Sequence, residues 1–229
     1  MWCYRCDIGF TFPGPVVDYS MYTSEPRNLE QWLRYADETV EFVLTSVGKV
    51  ASWFDFGAGG GELLIAVSRR GIRHTLGVDF DVRGRALATA RGIRVHRSLE
   101  DLDGETFDVV SASHVLEHVA DPIETVQRLI QHLQPEGVFV VSQPNPRGLL
   151  PRLAPSRWAG WVVTEHYWHF TVKSMTTLLQ RCGLSVLSSR NSSLDHRLHF
   201  NRALPFDAIG QAGKAIGIGD QFLLLARRE

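Results

Sequence analysis

Four of the five residues from Gly57 to Gly61 are glycines, and they follow directly on the apolar run SWFDF at residues 52–56. Glycine loses more backbone freedom on folding than other residues, so such a cluster indicates positive φ angles or a ligand that approaches the backbone closely. In an open α/β sheet, ligands bind beyond the carboxyl ends of the strands. The cluster therefore predicts a strand, a ligand-binding turn and a helix, with a tight turn that binds no ligand as the simpler alternative.

Strand-like and helix-like segments alternate along the rest of the chain. Strands are predicted at residues 52–59, 75–80, 93–98, 107–113, 137–144, 184–191 and 219–228, and helices at residues 28–48, 61–71, 81–92, 121–134 and 172–183. Most of these strands are apolar without alternation, which is typical of a parallel sheet with helices on both faces. No long helix is predicted between the last two strands, so we expect one of them to run antiparallel.

Composition narrows the classes of protein that fit this pattern. Hydrophobic residues make up 44% of the 229-residue chain, which is enough for a substantial core, and 24 basic residues against 25 acidic ones leave a formal net charge of -1. This balance argues against nucleic acid as a partner. No apolar run approaches the roughly 20 residues that span a bilayer, and the first residues lack the layout of a signal peptide. Three cysteines suit reduced thiols, so we expect a cytoplasmic protein with no membrane partner.

Acidic residues beside the glycine turn discriminate between nucleotide cofactors. A dinucleotide-binding turn follows the pattern G-x-G-x-x-G, but here the sixth position holds Glu62, a carboxylate where a helix N-terminus would receive phosphate. Asp55 precedes the glycines, and Asp79 ends the next strand, where an acid can accept hydrogen bonds from ribose hydroxyls. A ribose-containing cofactor with positive charge, such as S-adenosylmethionine, fits these residues better than a pyrophosphate does. A nicotinamide-dependent oxidoreductase is the alternative enzyme.

Five segments in the same order resemble class I S-adenosylmethionine-dependent methyltransferases, in particular small-molecule enzymes of the ubiquinone-pathway and sugar types. They are FDFGAGGGELL, LGVDFD, FDVVSASHVLEHVADP, LQPEGVFVVSQPNP and EHYWHFTVKSMTTLLQRCGLSV. The resemblance implies a Rossmann-like, doubly wound sheet of seven strands in the order 3-2-1-4-5-7-6, with the seventh antiparallel. We accordingly expect an irregular N-terminal segment, residues 1–28, that covers the active site, and a methyltransferase domain, residues 29–229.

The resemblance also implies, position by position, which residues hold the cofactor. The glycine turn would line its methionine part, Asp79 would bind its ribose and Phe80 would pack on its adenine. Ser98 stands where the family often has an acid that reaches the adenine amino group. Ser98 and the backbone of Leu99 would supply that contact here, with Glu100 as the alternative. The cofactor-binding set is Asp55, Gly57, Gly59, Gly61, Asp79, Phe80, Ser98, Leu99, Ser113 and His114.

The sequence HVLEH at residues 114–118 matches the H-x-x-E-H signature of a class of zinc proteases. That chemistry needs both histidines on one helix, whereas the next helix is predicted to begin at Asp121-Pro122, with an N-cap and a first-turn proline. Some ubiquinone-pathway O-methyltransferases resemble this segment but carry E-x-x-E-H, which has been linked to a divalent cation. Here His114 replaces the first acid, which disfavours a magnesium-type site, so we expect a turn and no bound metal.

The chemistry of methyl transfer points to histidine. The acceptor must be aligned and its proton removed, and histidine is the usual base near neutral pH. We predict His118 and His166 as the catalytic residues and O-methylation of a small-molecule acceptor as the reaction. N- and C-methylation stay open, as does a domain that binds the cofactor without transferring methyl. Further polar candidates are His114, His169, Tyr19 and Tyr22.

Two other segments have alternative interpretations. Cys3 and Cys6 form a C-x-x-C pair that resembles the second half of the zinc ribbon of some sugar methyltransferases. Four ligands cannot be counted, so we expect a degenerate remnant rather than a zinc site. Residues 201–219, rich in glycine, are predicted to be an insertion that shapes the acceptor pocket or contacts a partner.

Overall fold

The computed structural model describes residues 1–14, 29–158, 160–193 and 204–228. The strands in these ranges are β1 (Trp2–Cys3), β2 (Ile8–Phe10), β3 (Ser52–Phe56), β4 (His74–Val78), β5 (Val95–His96), β6 (Phe107–Ser113), β7 (Leu133–Pro144), β8 (Trp168–Phe170), β9 (Leu184–Ser192) and β10 (Gln221–Arg228). The α-helices are α1 (Leu29–Val47), α2 (Glu62–Arg69), α3 (Val82–Ala90), α4 (Pro122–Leu129), α5 (Leu149–Leu153), α6 (Val172–Arg181) and α7 (Leu204–Ala215).

The central sheet has seven strands in the order β5-β4-β3-β6-β7-β10-β9. The five strands from β5 to β7 are parallel, and β10 runs antiparallel to both β7 and β9. Counted along the chain within this sheet, the order is 3-2-1-4-5-7-6 with the seventh strand antiparallel. The predicted fold is therefore confirmed, and the glycine turn follows the central strand β3, next to the point where the strand order reverses.

The prediction that no long helix separates the last two strands is wrong. Helix α7 has 12 residues and lies between β9 and β10. Its sequence, LPFDAIGQAGKA, looks like a loop because of its proline and glycines, but Pro205 stands in the first turn, where the missing N–H leaves no helical hydrogen bond unmade. The antiparallel direction of β10 was correctly expected, although for a wrong reason.

Helices cover both faces of the central sheet and form two hydrophobic cores. On one face, α4 and α6 pack on alternate residues of the strands, such as Phe139 and Leu224. On the other face, α1, α2 and α3 pack on the residues between them, such as Val140 and Leu225. None of the helices in the described ranges has the length and apolar character needed to cross a membrane.

A second, three-stranded sheet joins the start of the chain to a late segment. Its order is β1-β2-β8, with both pairs antiparallel. Residues 1–14 are thus partly ordered into strands, which corrects the expectation of an irregular segment for this part of residues 1–28. The segment holds β8 firmly, since Thr171 Oγ1 donates a hydrogen bond to the carbonyl of Asp7 at 2.8 Å and Thr11 N–H donates to the carbonyl of Tyr167 at 3.0 Å. Tyr19 and Tyr22 lie outside the described residues.

Candidate active site

The glycine turn leaves the carboxyl end of β3 and leads into α2. Gly57 has φ 77° and donates its N–H to the carbonyl of Val78 at 2.8 Å. A Cβ on Gly57 would lie 2.3 Å from Val115 Cγ2, whereas a Cβ on Gly59, which has φ 51°, would meet no described atom within 4 Å. The turn is therefore packed tightly against its neighbours at Gly57 and faces open space at Gly59.

A cavity of about 370 Å³ lies over this turn. Its wall is built from the turn itself, the segments that follow β4 and β6, and one face of α1. Eight predicted site residues line it: Asp55, Gly57, Gly59, Asp79, Phe80, Ser113, His114 and His118. The structure thus gathers these residues at the carboxyl edge of the parallel strands, where a ligand is expected in this class of fold.

Asp55 is buried at the end of β3, with 3% of its surface exposed. Burial raises the pKa of its carboxyl to about 7, although Ser111 Oγ donates a hydrogen bond at 2.6 Å that lowers it. The nearby carboxylates of Asp79 and Glu62 raise the pKa further. A positively charged ligand in the cavity would stabilise the ionised form of Asp55.

Asp79 connects the glycine turn to the end of β4. One of its carboxylate oxygens accepts the N–H of Gly59 at 2.7 Å, and the other accepts the N–H of Asp81 at 2.8 Å. Burial raises the pKa of Asp79, and these backbone hydrogen bonds oppose the rise. Each oxygen keeps a lone pair for a further donor such as a ribose hydroxyl. The neighbouring Phe80 is 50% exposed and lines the cavity, where its ring is accessible to an adenine.

Arg91 is a residue of this region that the sequence reasoning missed. Its guanidinium donates to Glu62 Oε1 at 2.5 Å and to the carbonyl of Gly60 at 2.9 Å. The negative charge of Glu62 is therefore paired, so it repels a phosphate less than the sequence argument assumed. Arg91 and Glu62 lie 29 positions apart, and no local sequence pattern links them.

Three predicted cofactor residues are not among the described residues of the cavity wall. Gly61 has φ 84° and is the N-cap of α2. Ser98 caps a short 3-10 helix, and both its N–H and its hydroxyl are within hydrogen-bond distance of Asp101 Oδ2. Leu99 faces a separate hollow beside α4. The structure therefore does not bring Ser98 and Leu99 to the cavity, and their contact with adenine stays a prediction.

Helix α1 contributes Trp32, Tyr35 and Thr39 to the cavity wall. The rings of Trp32 and Tyr35 are 6.1 Å apart, and each lies within 5.9 Å of the His114 ring. Burial raises the pKa of the Tyr35 phenol above its ordinary value, so the group is neutral near pH 7. These side chains reach the site only because α1 packs on the sheet, so no local sequence pattern places them there.

Residues 114–118 form a turn after β6, as predicted, and not a helix. This rules out the protease arrangement, which needs two histidines on one helix. Helix α4 begins at Pro122, and the Asp121 side chain accepts the N–H of Glu124 at 2.9 Å. His114 has φ 55°, a conformation uncommon outside glycine.

The segment before β8 is clamped onto this turn through its backbone. The N–H groups of Tyr167 and Trp168 both donate to the carbonyl of Glu117, at 2.8 and 3.3 Å. The clamp brings the rings of His118 and His166 to a centroid distance of 4.6 Å. The two predicted catalytic histidines are therefore neighbours, with His118 in the cavity wall and His166 behind it.

Glu117 lies beside these histidines with 1% of its surface exposed. Neither carboxylate oxygen accepts a hydrogen bond within the described part of the chain, although His114 Nδ1 lies 3.5 Å from Oε1. Burial alone would raise the pKa of Glu117, but the surrounding imidazoles outweigh it and lower the pKa to about 2. Burial also lowers the pKa of His166 to about 4. Near pH 7 the pair is an ionised carboxylate beside a neutral imidazole.

Two other predicted candidates lie away from the cavity. His169 is in β8, its Nε2 is 3.4 Å from Thr11 Oγ1, and burial lowers its pKa to about 4. The side chain of His169 packs within the small sheet formed by β1, β2 and β8. Cys3 and Cys6 carry free thiols, and in the described ranges no third ligand joins them in a group that could hold a metal.

The site combines a glycine turn with two acids, one buried beneath the turn and one at the end of the next strand. This arrangement defines an α/β protein that binds an adenosyl cofactor. A family model described as "Methyltransferase domain" matches residues 27–189, so the chain belongs to this methyltransferase family. It carries a class I S-adenosylmethionine-dependent methyltransferase domain, which confirms the resemblance seen in the sequence and argues against the nicotinamide-dependent alternative.

Curated relatives include ubiquinone biosynthesis O-methyltransferases. The one from Haemophilus ducreyi is 33% identical over 105 residues, which is 40% of this chain and 44% of the relative. The one from Cereibacter sphaeroides is 31% identical over 145 residues, covering 57% of this chain and 58% of the relative. The chain thus spans about half the length of these relatives.

Solved structures share the fold at lower identity. A methyltransferase of Mesorhizobium loti is 24% identical with a TM-score of 0.59, over 86% of this chain and 100% of the other. An N-methyltransferase of Burkholderia thailandensis, solved with 1,6-didemethyltoxoflavin and S-adenosylhomocysteine, is 18% identical with a TM-score of 0.56, over 86% of this chain and 78% of the other.

The residues present fit S-adenosylmethionine. Any side chain at position 59 would narrow the cavity. Asp55 is a buried carboxyl, and a sulfonium or ammonium group beside it would favour its ionised form. Asp79 keeps lone pairs that can accept hydrogen bonds from ribose hydroxyls. The aromatic Phe80 stands on the cavity wall next to Asp79. The assignment of each contact remains a prediction, whereas the cofactor itself follows from the family.

Proposed function

We propose that the protein transfers the methyl group of S-adenosylmethionine to a hydroxyl oxygen of a small molecule. The observation that carries this proposal is the pair of histidines, His118 and His166, placed beside the ionised Glu117 at the edge of the cofactor cavity. When bound, the cofactor supplies an electrophilic methyl group on a sulfonium that leaves as a neutral thioether. The chain must then align the acceptor and remove its proton.

His118 is the residue best placed to act on that proton. Its Nδ1 lies 3.2 Å from the carbonyl of Glu165 and can only donate there, which leaves Nε2 as the basic nitrogen. The ionised Glu117, next in sequence, stabilises positive charge on the imidazole as the proton arrives. His166, neutral and in ring contact with His118, is the weaker base of the two, because burial lowers its pKa to about 4.

Oxygen as the accepting atom is supported by the relatives, which are named O-methyltransferases. The structural neighbour from Burkholderia thailandensis is an N-methyltransferase of the same fold, so the fold by itself does not decide between oxygen and nitrogen. A small acceptor is supported by the limited volume of the cavity, about 370 Å³, and the net charge of -1 supports an acceptor other than nucleic acid.

The test is a methyl-transfer assay with matched panels of phenols, alcohols, amines and carbon acids. We expect turnover with hydroxyl acceptors and, in His118→Asn, a fall in kcat of at least about 100-fold, the range usual for loss of a general base. Affinity for S-adenosylmethionine should stay within about threefold, because the loop and both acids are untouched. His169→Asn, a buried histidine away from the cavity, should keep its kcat.

Two outcomes would overturn the proposal. If turnover is confined to amines or carbon acids, the accepting atom is nitrogen or carbon and not oxygen. Full cofactor binding without turnover on any panel would favour a domain that binds S-adenosylmethionine and does not transfer its methyl group.

A further inference from the structure

Three hydroxyl groups meet where helix α1 covers the ends of β6 and β7. Ser113 and Ser142 are paired neighbours on these two strands, and their Oγ atoms are 2.6 Å apart. Tyr35 approaches them from α1: burial raises the pKa of its phenol, and the hydroxyls of Ser142 and Ser113 oppose this rise. We call Tyr35, Ser113 and Ser142 the hydroxyl cluster. Tyr35 and Ser113 line the cofactor cavity, so the cluster is part of its wall.

The phenol oxygen of Tyr35 has no hydrogen-bond partner in the described part of the chain. Only 7% of the surface of Tyr35 is exposed, and its Oη is buried without a hydrogen bond, whereas Ser113 and Ser142 bond to each other. Buried hydroxyls are normally paired, because a buried donor or acceptor has lost the hydrogen bonds that water would make. The unpaired phenol on the cavity wall therefore points to a ligand group that bonds to it.

The hydroxyl cluster lies on the other side of β3 from the expected adenosine contacts. Asp79 and Phe80 follow β4, whereas Ser113 ends β6 and Ser142 stands near the end of β7, and the sheet order places β3 between β4 and β6. An adenosyl group over β3 and β4 would leave the cluster to another part of the bound molecules. We assign this part of the cavity to the acceptor, which rests on the proposed function.

The charges around the cavity favour a neutral group at this position. The described wall has no lysine or arginine and includes four acids, Asp55, Glu62, Asp79 and Asp81. A carboxylate or phosphate on the acceptor would be repelled, because like charges brought together oppose binding. The phenol of Tyr35 is uncharged near pH 7, since burial raises its pKa, and an uncharged phenol can donate one hydrogen bond and accept others. A neutral hydroxyl has the same capacity and matches it.

We propose that Tyr35 is a specificity-determining residue, whose phenol hydrogen-bonds a neutral hydroxyl of the acceptor other than the one that is methylated. The reacting hydroxyl belongs at the histidines that follow β6, so the hydroxyl cluster is left to a second one. Trp32, whose ring lies 6.1 Å from that of Tyr35 and lines the same cavity, offers an aromatic surface to the body of the acceptor.

The experiment compares three phenols that differ only in the group opposite the phenol oxygen. They are 4-hydroxybenzyl alcohol with a second hydroxyl, 4-methylphenol without one, and 4-hydroxybenzoate with a carboxylate. Each is titrated by calorimetry into the full chain saturated with S-adenosylhomocysteine, in the wild type, in Tyr35→Phe and in the control Tyr4→Phe, which makes the same change at a residue 84% exposed. Binding of S-adenosylhomocysteine shows that each variant is folded.

We expect Tyr35→Phe to weaken binding of 4-hydroxybenzyl alcohol by about 3–10-fold, the effect of one neutral hydrogen bond, and to leave binding of 4-methylphenol within about twofold. The wild type should bind 4-hydroxybenzoate at least about tenfold more weakly than the alcohol, because of the acids on the wall. Without ligands, the denaturant midpoint of Tyr35→Phe should equal or exceed that of the wild type, because the change removes a buried hydroxyl that has no partner.

Three results would overturn the role of Tyr35. They are equal affinity of the wild type and Tyr35→Phe for 4-hydroxybenzyl alcohol, no binding of any of the three phenols to the wild type, and a lower denaturant midpoint in Tyr35→Phe, which would mean that the phenol serves the fold. If the alcohol binds as expected but no hydroxyl compound is methylated, the proposed function fails and the binding role of Tyr35 stands. If hydroxyl compounds are methylated equally well by Tyr35→Phe, the reverse holds.

Discussion

At the scale of single residues, Gly57 and Gly59 lie in one turn but differ in the space around them. Both have positive φ, but the space around them differs: Val115 Cγ2 would lie 2.3 Å from a Cβ on Gly57, and nothing described lies within 4 Å of a Cβ on Gly59. Gly57 is required by packing within the fold, whereas Gly59 faces the open space of the cavity.

This contrast predicts separable effects of two alanine substitutions. Gly57→Ala should lower the free energy of unfolding by about 2–5 kcal/mol, from positive-φ strain together with overpacking. Gly59→Ala should cost only about 1–2 kcal/mol of strain but weaken S-adenosylmethionine binding at least about tenfold. Denaturant unfolding without cofactor and calorimetric titration measure the two quantities. Equal losses of stability in the two variants would contradict this account.

Asp55 predicts a dependence of stability on pH. Its pKa is about 7 in the folded protein against 3.8 for the ordinary carboxyl, so the folded state favours the protonated form. The stabilisation is complete below pH 3.8 and is lost as the pH rises through 7. Between pH 5.5 and 8.5, without cofactor, the wild type should lose about 2 kcal/mol of unfolding free energy relative to Asp55→Asn. Denaturant unfolding of both proteins at the two pH values measures the difference, and parallel curves would disprove it.

At the residue scale, the sequence predicted positions where the chemistry is local. Asp55 and Asp79 were placed at the cavity wall correctly because each stands at a fixed place relative to a strand end, and their roles stay predictions. Arg91 and Tyr35 were missed because each meets the site only through packing of a helix on the sheet. Ser98 was predicted from a family position, and the hydrogen bond that its hydroxyl donates to Asp101 Oδ2 at 3.3 Å shows a local use for its side chain.

At the scale of elements, the small sheet shows how a distant segment is attached to the site. In the described structure β2 is the strand that pairs with β8, with Gly9 opposite His169. The hydroxyl of Thr11 also donates to the carbonyl of His166 at 2.7 Å. The start of the chain therefore stabilises the segment that carries one of the two predicted catalytic histidines.

Deletion of residues 1–10 should accordingly loosen β8 selectively. We expect amide hydrogen exchange of residues 166–170 to accelerate at least about tenfold, because strand pairing is lost, while exchange in the central sheet changes little. Arg147→Ala is the control: it removes the 2.5 Å ion pair with Asp7 but keeps both strands, and it should have a smaller effect. If hydrogen exchange at residues 166–170 is unchanged after the deletion, the backbone hydrogen bonds to Glu117 are enough to hold β8 in place without the strand pairing.

Long elements were predictable and short ones were not. The helices with a clear apolar face, such as α1 and α6, and the strands of the central sheet follow from periodicity and length. Strand β8 has three residues and β1 has two, so neither has enough residues for a pattern. Helix α7 was missed because its proline and glycines were taken as loop signals, although Pro205 lies in the first turn, where a helix tolerates it.

At the scale of the whole molecule, the two hydrophobic cores share four strands, β3, β6, β7 and β10. Leu224 and Leu225 are adjacent and both fully buried, yet one faces α4 and α6 while the other faces α1 and α2. Because the middle of the sheet belongs to both cores, the cores should not unfold separately.

Alanine substitution at either position tests whether the two cores unfold together. Leu224→Ala and Leu225→Ala should each lower the free energy of unfolding by about 2–5 kcal/mol, the usual cost of a cavity in a core. Circular dichroism and tryptophan fluorescence should report one shared transition in each variant. Two transitions with different midpoints would mean that the layers on the two faces are separate cooperative units.

The placement of β10 has a consequence for synthesis of the chain. In the central sheet β9 pairs with β10 alone, and β10 separates it from β7. The ribosome makes β9 before α7 and β10, so the nascent protein carries an unpaired β9 and an open edge on β7 until β10 emerges. Open strand edges invite pairing with other chains. The risk of misassembly is therefore highest between the synthesis of β9 and that of β10, when most of the candidate site has already been made.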